Sequence, residues 1–349
     1  MDTITSTGIA AVAERVADGR DRILAEIRKV IVGQDAVIDQ VLMALFTGGH
    51  CLITGVPGLA KTLLIKTLAQ ILDLSFKRIQ FTPDLMPADI TGTHVLEDTP
   101  QGKRPRFVPG PVFTHFLLAD EINRASPKTQ AALLEAMGEG SVTLLGDTRM
   151  LEPPFFVIAT QNPIEMEGTN PLPEAQLDRF AIKVDVPATD EAALLRMLAE
   201  RKDGTPPPQP ALFDRASTLR CQQQVDEVFL PEPVARLIAR LVARAAPSDP
   251  RAPELVKSAV RYGPSPRAAI WLARIARSLA ALDGRSGAGF EDVAEAAPFV
   301  LGHRLILSYG ARLDGVKSDE LARQLYRDAE RELLGGEPGL RAKAADERA

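Results

Sequence analysis

Residues 55–62 read GVPGLAKT, one residue away from the phosphate-binding pattern G-x-x-x-x-G-K-[ST], with Ala60 where the second glycine belongs. Such a loop works by wrapping main-chain N–H groups around phosphate oxygens. Gly55, Val56, Pro57, Gly58, Leu59 and Ala60 would form the wrap, and the following helix would add its own unpaired donors. Lys61 would reach the β- and γ-phosphates, and the Thr62 hydroxyl would ligate Mg²⁺. Gly58, in mid-loop, is the position expected to need a positive φ. Ala60 fits if it already has right-handed helical angles, since alanine is strained at positive φ and favoured in a first helical turn. The competing reading of these eight residues alone is a chance loop.

Four further stretches bear on that choice. FLLADE ends an apolar run in Asp120 and Glu121, which places two carboxylates at the carboxyl end of a buried strand, where open α/β sheets bind ligands. An aspartate there can hold Mg²⁺ through water, and the next carboxylate can polarise an attacking water. VIATQNP offers Asn162 at the end of another strand, either to orient that water or as a turn former before Pro163. AQLDRF offers Arg179 just before a strand, either as a finger that neutralises transition-state charge or as a surface partner of Asp178 or a neighbouring acid. GPSPRA starts a helix with Arg267, a cation unfavourable against the helix dipole unless an external anion is near.

The elements needed to position these residues are legible around them. Residues 8–31 carry apolar side chains at helical intervals, and DAVIDQVLMALFTGG reads as a second helix closed by Gly48–Gly49. HCLITG is a strand feeding the loop, and KTLLIKTLAQIL follows as a helix. FKRIQFT is a strand. From Pro83 to Pro111 the chain is irregular except for a hairpin within THVLEDTPQGKRPRFV. SPKTQAALLEAMGEG is a helix with Ser126 as N-cap and a glycine stop; SVTLLGDTRMLEP is a second hairpin, turning on Gly146–Asp147. FFVIATQNP is a further buried strand, and EAQLDRFAIKVDV runs from helix into strand. Strands separated by helices predict an α/β fold with a parallel sheet and helices on both faces. KDGTPPPQP is a proline-rich connection, after which the chain to about Tyr309 reads as helical without a strand. The expected organisation is an N-terminal helical extension (1–24), a nucleotide-binding core (25–200), an α-helical lid (201–312), and a last helix with a charged, disordered tail (313–349).

The chain has 349 residues, 45% hydrophobic and 25% charged, with a net charge of −5. That composition fits a globular protein and gives no overall basic field to attract nucleic acid. Cys51 and Cys221 lie far apart and the four histidines are scattered, so neither a disulfide framework nor a transition-metal site is expected. No apolar run is long enough to span a bilayer and the N-terminus does not read as a signal peptide, which predicts a cytoplasmic location.

The set GVPGLAKT, LLADEINRA, ATQNP, PLPEAQLDRF and GPSPRA, in this order, resembles the MoxR family of AAA+ ATPases over roughly residues 25–310. A phosphate loop without its second glycine is the form that family uses. The resemblance implies a P-loop NTPase core with αβα layers, two hairpin inserts and a small helical lid. It implies ATP and Mg²⁺ as ligands, and a homo-oligomeric, hexameric ring. Carried over by residue, Gly55 to Thr62 is the phosphate loop, Asp120 and Glu121 the acidic pair, and Asn162 the polar sensor. Arg179 resembles a finger acting on the neighbouring subunit, and Arg267 resembles a lid arginine, acting in cis or in trans. VIVGQ resembles a segment whose backbone around Val32 and Gly33 frames adenine. Asn123–Arg124 falls where either a subunit-interface role or helix capping is open. A chaperone-like role on protein clients is implied, with a von Willebrand A-domain partner, in metalloenzyme maturation or other assembly. Competing readings are a nucleic-acid motor with hairpin inserts, for which QGKRPR is basic but LLGDTR nearly neutral, the ATPase subunit of a metal chelatase, and a nucleotide-gated scaffold that barely turns over.

Overall fold

The structure is a computed structural model that describes residues 6–55, 61–100, 102–162, 169–187, 191–200 and 209–336. The loop residues Val56 to Ala60, most of the proline-rich connection and the tail from 337 lie outside the described residues, and with them the expectations for Gly58 and Ala60. In chain order, α1 (Ser6–Ile27) and α2 (Asp35–Phe46) lead into β1 (His50–Thr54), and α3 (Lys61–Ile71) follows the loop. Next come β2 (Phe76–Gln80), α4 (Pro87–Thr91), a hairpin of β3 (Gly92–Thr99) and β4 (Gly102–Pro109), and β5 (Phe116–Asp120). Then follow α5 (Pro127–Glu139), a hairpin of β6 (Ser141–Leu144) and β7 (Asp147–Met150), β8 (Phe156–Gln161), α6 (Glu174–Leu177), β9 (Phe180–Asp185) and α7 (Glu191–Glu200). The remainder is α8 (Arg215–Glu227), α9 (Glu232–Arg244), α10 (Glu254–Ala259), β10 (Val260–Tyr262), α11 (Pro266–Leu282), α12 (Phe290–Leu301), β11 (Ile306–Leu307), α13 (Tyr309–Leu313) and α14 (Ser318–Gly336).

Five strands form one sheet in the order β2-β5-β8-β1-β9, all neighbours parallel. Successive residues of a strand face opposite sides, so a strand buried on both faces needs apolar residues at every position. β5 shows this directly. Phe116 and Leu118 enter an apolar core with α1, α2 and α3, while Leu117 and Ala119 enter a second core with α5. The first core continues without a break into the helical part, through Leu272 and Ile275 of α11 and Val293 and Ala297 of α12. In α9, Val234, Leu237, Ile238 and Leu241 fall on one buried stripe at helical spacing.

Local chemistry sets the element ends. Ser126 accepts a hydrogen bond from the Thr129 N–H at 3.3 Å and Pro127 opens α5, while Gly140, at φ +61, stops it in the left-handed conformation. Gly92, at φ +94, begins the first hairpin where a Cβ would lie 2.4 Å from the Val108 carbonyl oxygen, so any side chain there collides with the partner strand.

Four expectations are corrected. The first helix ends at Ile27, and Val30 and Ile31 stay buried through a turn rather than a helical face. The stretch from Pro83 to Pro111 is not irregular throughout, because Pro87 and an Asp89 side chain that accepts from the Met86 N–H nucleate the short α4. The second hairpin turns on Leu145–Gly146, with φ +52 and +89, a two-residue reversal of the kind antiparallel strands favour; Asp147 already pairs with Leu144. The helical part does hold strands, since β10 and β11 pair antiparallel and tie the segments flanking α11 and α12 together.

Candidate functional site: two ends of one sheet

The parallel sheet gives the molecule two chemically distinct ends. At the carboxyl end, β1 runs into the phosphate-loop segment, β5 into Asp120–Glu121 and β8 into Asn162. The Gly55 N–H donates to the Gln161 carbonyl at 3.4 Å and Lys61 Nζ donates to the Gly55 carbonyl at 2.7 Å, so the ends of β1, β8 and α3 converge. Burial pulls the Lys61 ammonium below the ordinary lysine value, while the charges of Asp120 and Glu121 pull it back up. Lys61 and Thr62 are partly exposed in the first turn of α3, and Asn162 is buried.

The acidic pair is held by a defined network. Thr160, on the neighbouring strand β8, donates its hydroxyl to Asp120 Oδ1 at 2.5 Å and accepts the Glu121 main-chain N–H at 2.9 Å. Asp120 Oδ2 accepts from Arg78 Nε at 3.1 Å and Nη2 at 2.6 Å. Glu121 has left-handed backbone angles, φ 57 and ψ 48, which turn its side chain back toward β2. There its Oε2 accepts from Gln80 Nε2 at 2.8 Å and Arg124 Nη1 at 2.9 Å, and no hydrogen bond reaches Oε1 among the described residues. Arg78 and Gln80 are linked in turn, Nη2 to Oε1, at 2.6 Å.

At the amino end of the sheet lie the two arginines. Arg179 immediately precedes β9, whose first residue Phe180 pairs with His50, the first residue of β1. Its guanidinium donates to the Leu134 carbonyl of α5 and lies across Gly138. Arg267, in the first turn of α11, shares with Arg179 a cavity of about 180 Å³ also lined by His50, Met137, Gly138, Asp178 and Trp271. At the rise of a strand, about 3.3 Å per residue, His50 and Thr54 are about 13 Å apart. Arg179 and Arg267 therefore sit at the end of the sheet away from their own phosphate loop.

Sequence-predicted residues thus divide. Lys61, Thr62, Asp120, Glu121 and Asn162 come together; Arg179 and Arg267 come together elsewhere. Val32 is buried in the turn between α1 and α2, and Gly33 adopts φ +78 there. Asp178 is not a surface partner of Arg179, because its carboxylate is taken by Arg304 and Ser265. Asn123–Arg124 does not cap α5, which Ser126 does; Arg124 instead pairs with Glu121. Arg78, Gln80, Thr160, Ser265 and Arg304 were not anticipated. The signal for the first two was polar residues at i and i+2 of FKRIQ, on one face of a strand flanking the acidic pair, with Gln80 in register with Asp120.

A strand–loop–helix with a lysine, an acidic pair on the adjacent strand and a helical lid define a P-loop ATPase of the AAA type. The model of the ATPase family associated with various cellular activities (AAA) matches residues 50–182, and that of the AAA lid domain matches 252–325. The chain is 42% identical over 302 residues to chaperone MoxR1 of Mycobacterium tuberculosis, covering 86% of this chain and 78% of that protein. It is 32% identical to protein MoxR of Methylorubrum extorquens, covering 83% and 88%. A crystal structure of a candidate ATPase from Cytophaga hutchinsonii superposes with a TM-score of 0.84 at 37% identity, covering 93% of this chain and 98% of that one. The chain belongs to the MoxR family of AAA+ ATPases.

Proposed function

We propose that the protein hydrolyses ATP at the interfaces of a homo-oligomeric ring, with six copies, and uses the cycle to remodel or assemble client proteins. The observation that carries this reading is the separation of the two sheet ends. Arg179 and Arg267 lie at the end of the sheet away from their own Lys61, whereas a head-to-tail ring would set the amino end of one sheet against the carboxyl end of the next. Lys61, Thr62 and Asp120 fit Mg·ATP, since the ammonium is partly desolvated beside two carboxylates and Asp120 already accepts strong hydrogen bonds. Bound Mg²⁺ would neutralise phosphate charge. Glu121 and Asn162 would position the attacking water, with Glu121 Oε2 anchored and Oε1 left to take the proton. The neighbour's Arg179 and Arg267 would stabilise charge on the transferred phosphoryl group. Val32 and Gly33 would border the adenine.

The hairpins β3–β4 and β6–β7 would carry motion to a client. A von Willebrand A-domain protein is the proposed partner and metalloenzyme maturation the proposed setting; the Mycobacterium tuberculosis relative is named a chaperone. A nucleic-acid motor is disfavoured. The basic strand of the first hairpin faces acids across the register, Glu97 opposite Arg104 and Asp98 opposite Lys103, and Arg106 pairs with Glu97 at 3.4 Å. Among the described residues no helix is long and apolar enough to cross a membrane.

The test is Glu121→Gln. Nucleotide binding should persist while turnover falls below about a tenth of wild type; more residual hydrolysis than that removes Glu121 from the role of base. The same protein held in ATP should retain its partner on purification.

A further inference from the structure

Arg304, on the turn after α12, has a side chain only 2% exposed and yet makes six polar contacts. Its Nε donates to Asp178 Oδ1 at 2.8 Å. Nη1 donates to the Val300 carbonyl at 2.5 Å and the Ala181 carbonyl at 3.1 Å, and lies 2.8 Å from His303 Nε2. Nη2 donates to the carbonyls of Phe180 at 2.6 Å and Asp178 at 3.1 Å. His303 Nε2 also lies 3.2 Å from the Phe180 carbonyl, and its Nδ1 lies 3.2 Å from the Phe299 carbonyl. Four of the six contacts reach residues 178–181, the short segment that carries Arg179 into β9.

The same carboxylate reaches the lid. Asp178 Oδ2 accepts the Ser265 hydroxyl at 2.7 Å and lies 3.7 Å from Arg267 Nη1. Ser265 in turn accepts the Arg267 main-chain N–H at 3.1 Å, as the N-cap of α11. Asp178 is thus one residue from Arg179 along the chain, and one hydrogen bond from the residue that caps the Arg267 helix. Arg304 neutralises and orients that carboxylate from inside the protein, where it can touch no nucleotide.

We propose that Arg304, acting through Asp178 and Ser265, is a positioning residue that sets Arg179 and Arg267 jointly for the neighbouring subunit's nucleotide. A buried ion pair is weak evidence for stability, because replacing it by apolar groups often costs nothing. It is well suited to fixing one geometry among several. Here it fixes the relation between an arginine of the sheet domain and an arginine of the lid, so that neither can move to the neighbour's phosphates without the other.

This inference rests on the trans reading of Arg179 and Arg267, and the test separates the two. Full-length Arg304→Lys, Ser265→Ala and Arg179→Ala proteins are each assayed alone and mixed with Lys61→Ala protein, which has a defective phosphate site but intact donor arginines. Alone, Arg304→Lys should lose about tenfold or more in turnover while its affinity for ATP stays within about threefold of wild type. Mixed, it should regain several-fold, as Arg179→Ala does, because its own phosphate site is intact. Recovery of Arg179→Ala without recovery of Arg304→Lys would overturn the positioning role. Failure of Arg179→Ala to recover would sink the trans reading and the inference with it. Should Arg304→Lys fail to fold, Ser265→Ala keeps both buried charges and decides the matter. A partial loss restored by mixing supports the proposal, and unchanged turnover overturns it.

Discussion

Gln80, the last residue of β2, donates its amide to the Glu121 carboxylate at 2.8 Å, across the register that pairs Gln80 with Asp120. With Arg124 on the same oxygen at 2.9 Å, Glu121 is anchored from two sides through Oε2. A positioned general base contributes about 10²–10⁴ in rate. Gln80→Ala and Arg124→Ala are each expected to lower kcat by about tenfold, with KM for ATP nearly unchanged. Steady-state kinetics checks this. A rise in kcat would mean that the two bonds restrain Glu121 rather than aim it.

Thr160 links both acids through one hydroxyl, taking the Glu121 N–H and giving its proton to Asp120. Thr160→Val keeps the shape but leaves that N–H without its acceptor. An unsatisfied buried group costs about 1–3 kcal/mol. The variant should unfold at lower denaturant by that amount and need more Mg²⁺ for half-maximal activity, because Asp120 loses a bond that orients it. Thr160→Ser should restore both. Equal stability of Thr160→Val and wild type would show that the hydroxyl is dispensable.

His50 titrates against the fold. Val157 N–H donates to Nδ1 at 3.1 Å, so Nε2 carries the proton and donates to the Met137 carbonyl at 3.2 Å. Burial pushes the imidazole down to about 4. The folded value is depressed below the unfolded one, near 6.5, so the unfolded chain binds the extra proton between those limits. The neutral-histidine contribution is therefore complete above about pH 6.5 and is lost progressively as pH falls toward 4. Between pH 7 and pH 5 the loss amounts to about 2 kcal/mol. His303, buried beside Arg304, is lowered in the same direction. Urea denaturation at the two pH values should show the drop, and His50→Gln should reduce it by about 2 kcal/mol; an unaltered difference would refute the assignment to His50.

The parts legible in the sequence are those with local causes. Ser126, Pro127 and Gly140 bound α5 through capping and backbone angles alone, and the buried strands announce themselves by unbroken apolar runs. The second hairpin was placed one residue late because its turn puts Leu145 at φ +52, where leucine is a poor occupant, and sequence chemistry favours the glycine and aspartate that follow. The contacts that organise the site were not legible, because they join distant residues. Arg304 meets Asp178 across 126 positions, and Arg78 meets Asp120 across 42. The polar alternation of FKRIQ hints at Arg78, but nothing around Arg304 distinguishes a buried clamp from a solvated charge.

The position of Arg267 favours the trans reading of a question that its sequence left open. A lid arginine serving its own subunit must reach the phosphate loop, which leaves β1 after Thr54. Arg267 instead borders a cavity with His50 and Trp271, at the opposite end of that strand. Its guanidinium is 62% exposed and spends one contact on Asp178 at 3.7 Å, so it is available to an anion approaching from outside the subunit. Arg267→Ala should therefore turn over slowly as a pure protein and recover when mixed with Lys61→Ala subunits, whose lids are intact but whose own sites are disabled. A cis-acting arginine behaves in the opposite way, since every intact lid in the mixture would then belong to a disabled site. Turnover per intact phosphate site, followed as the mixing ratio is varied, distinguishes the two: it climbs with added Lys61→Ala protein in the trans arrangement and stays flat in the cis one.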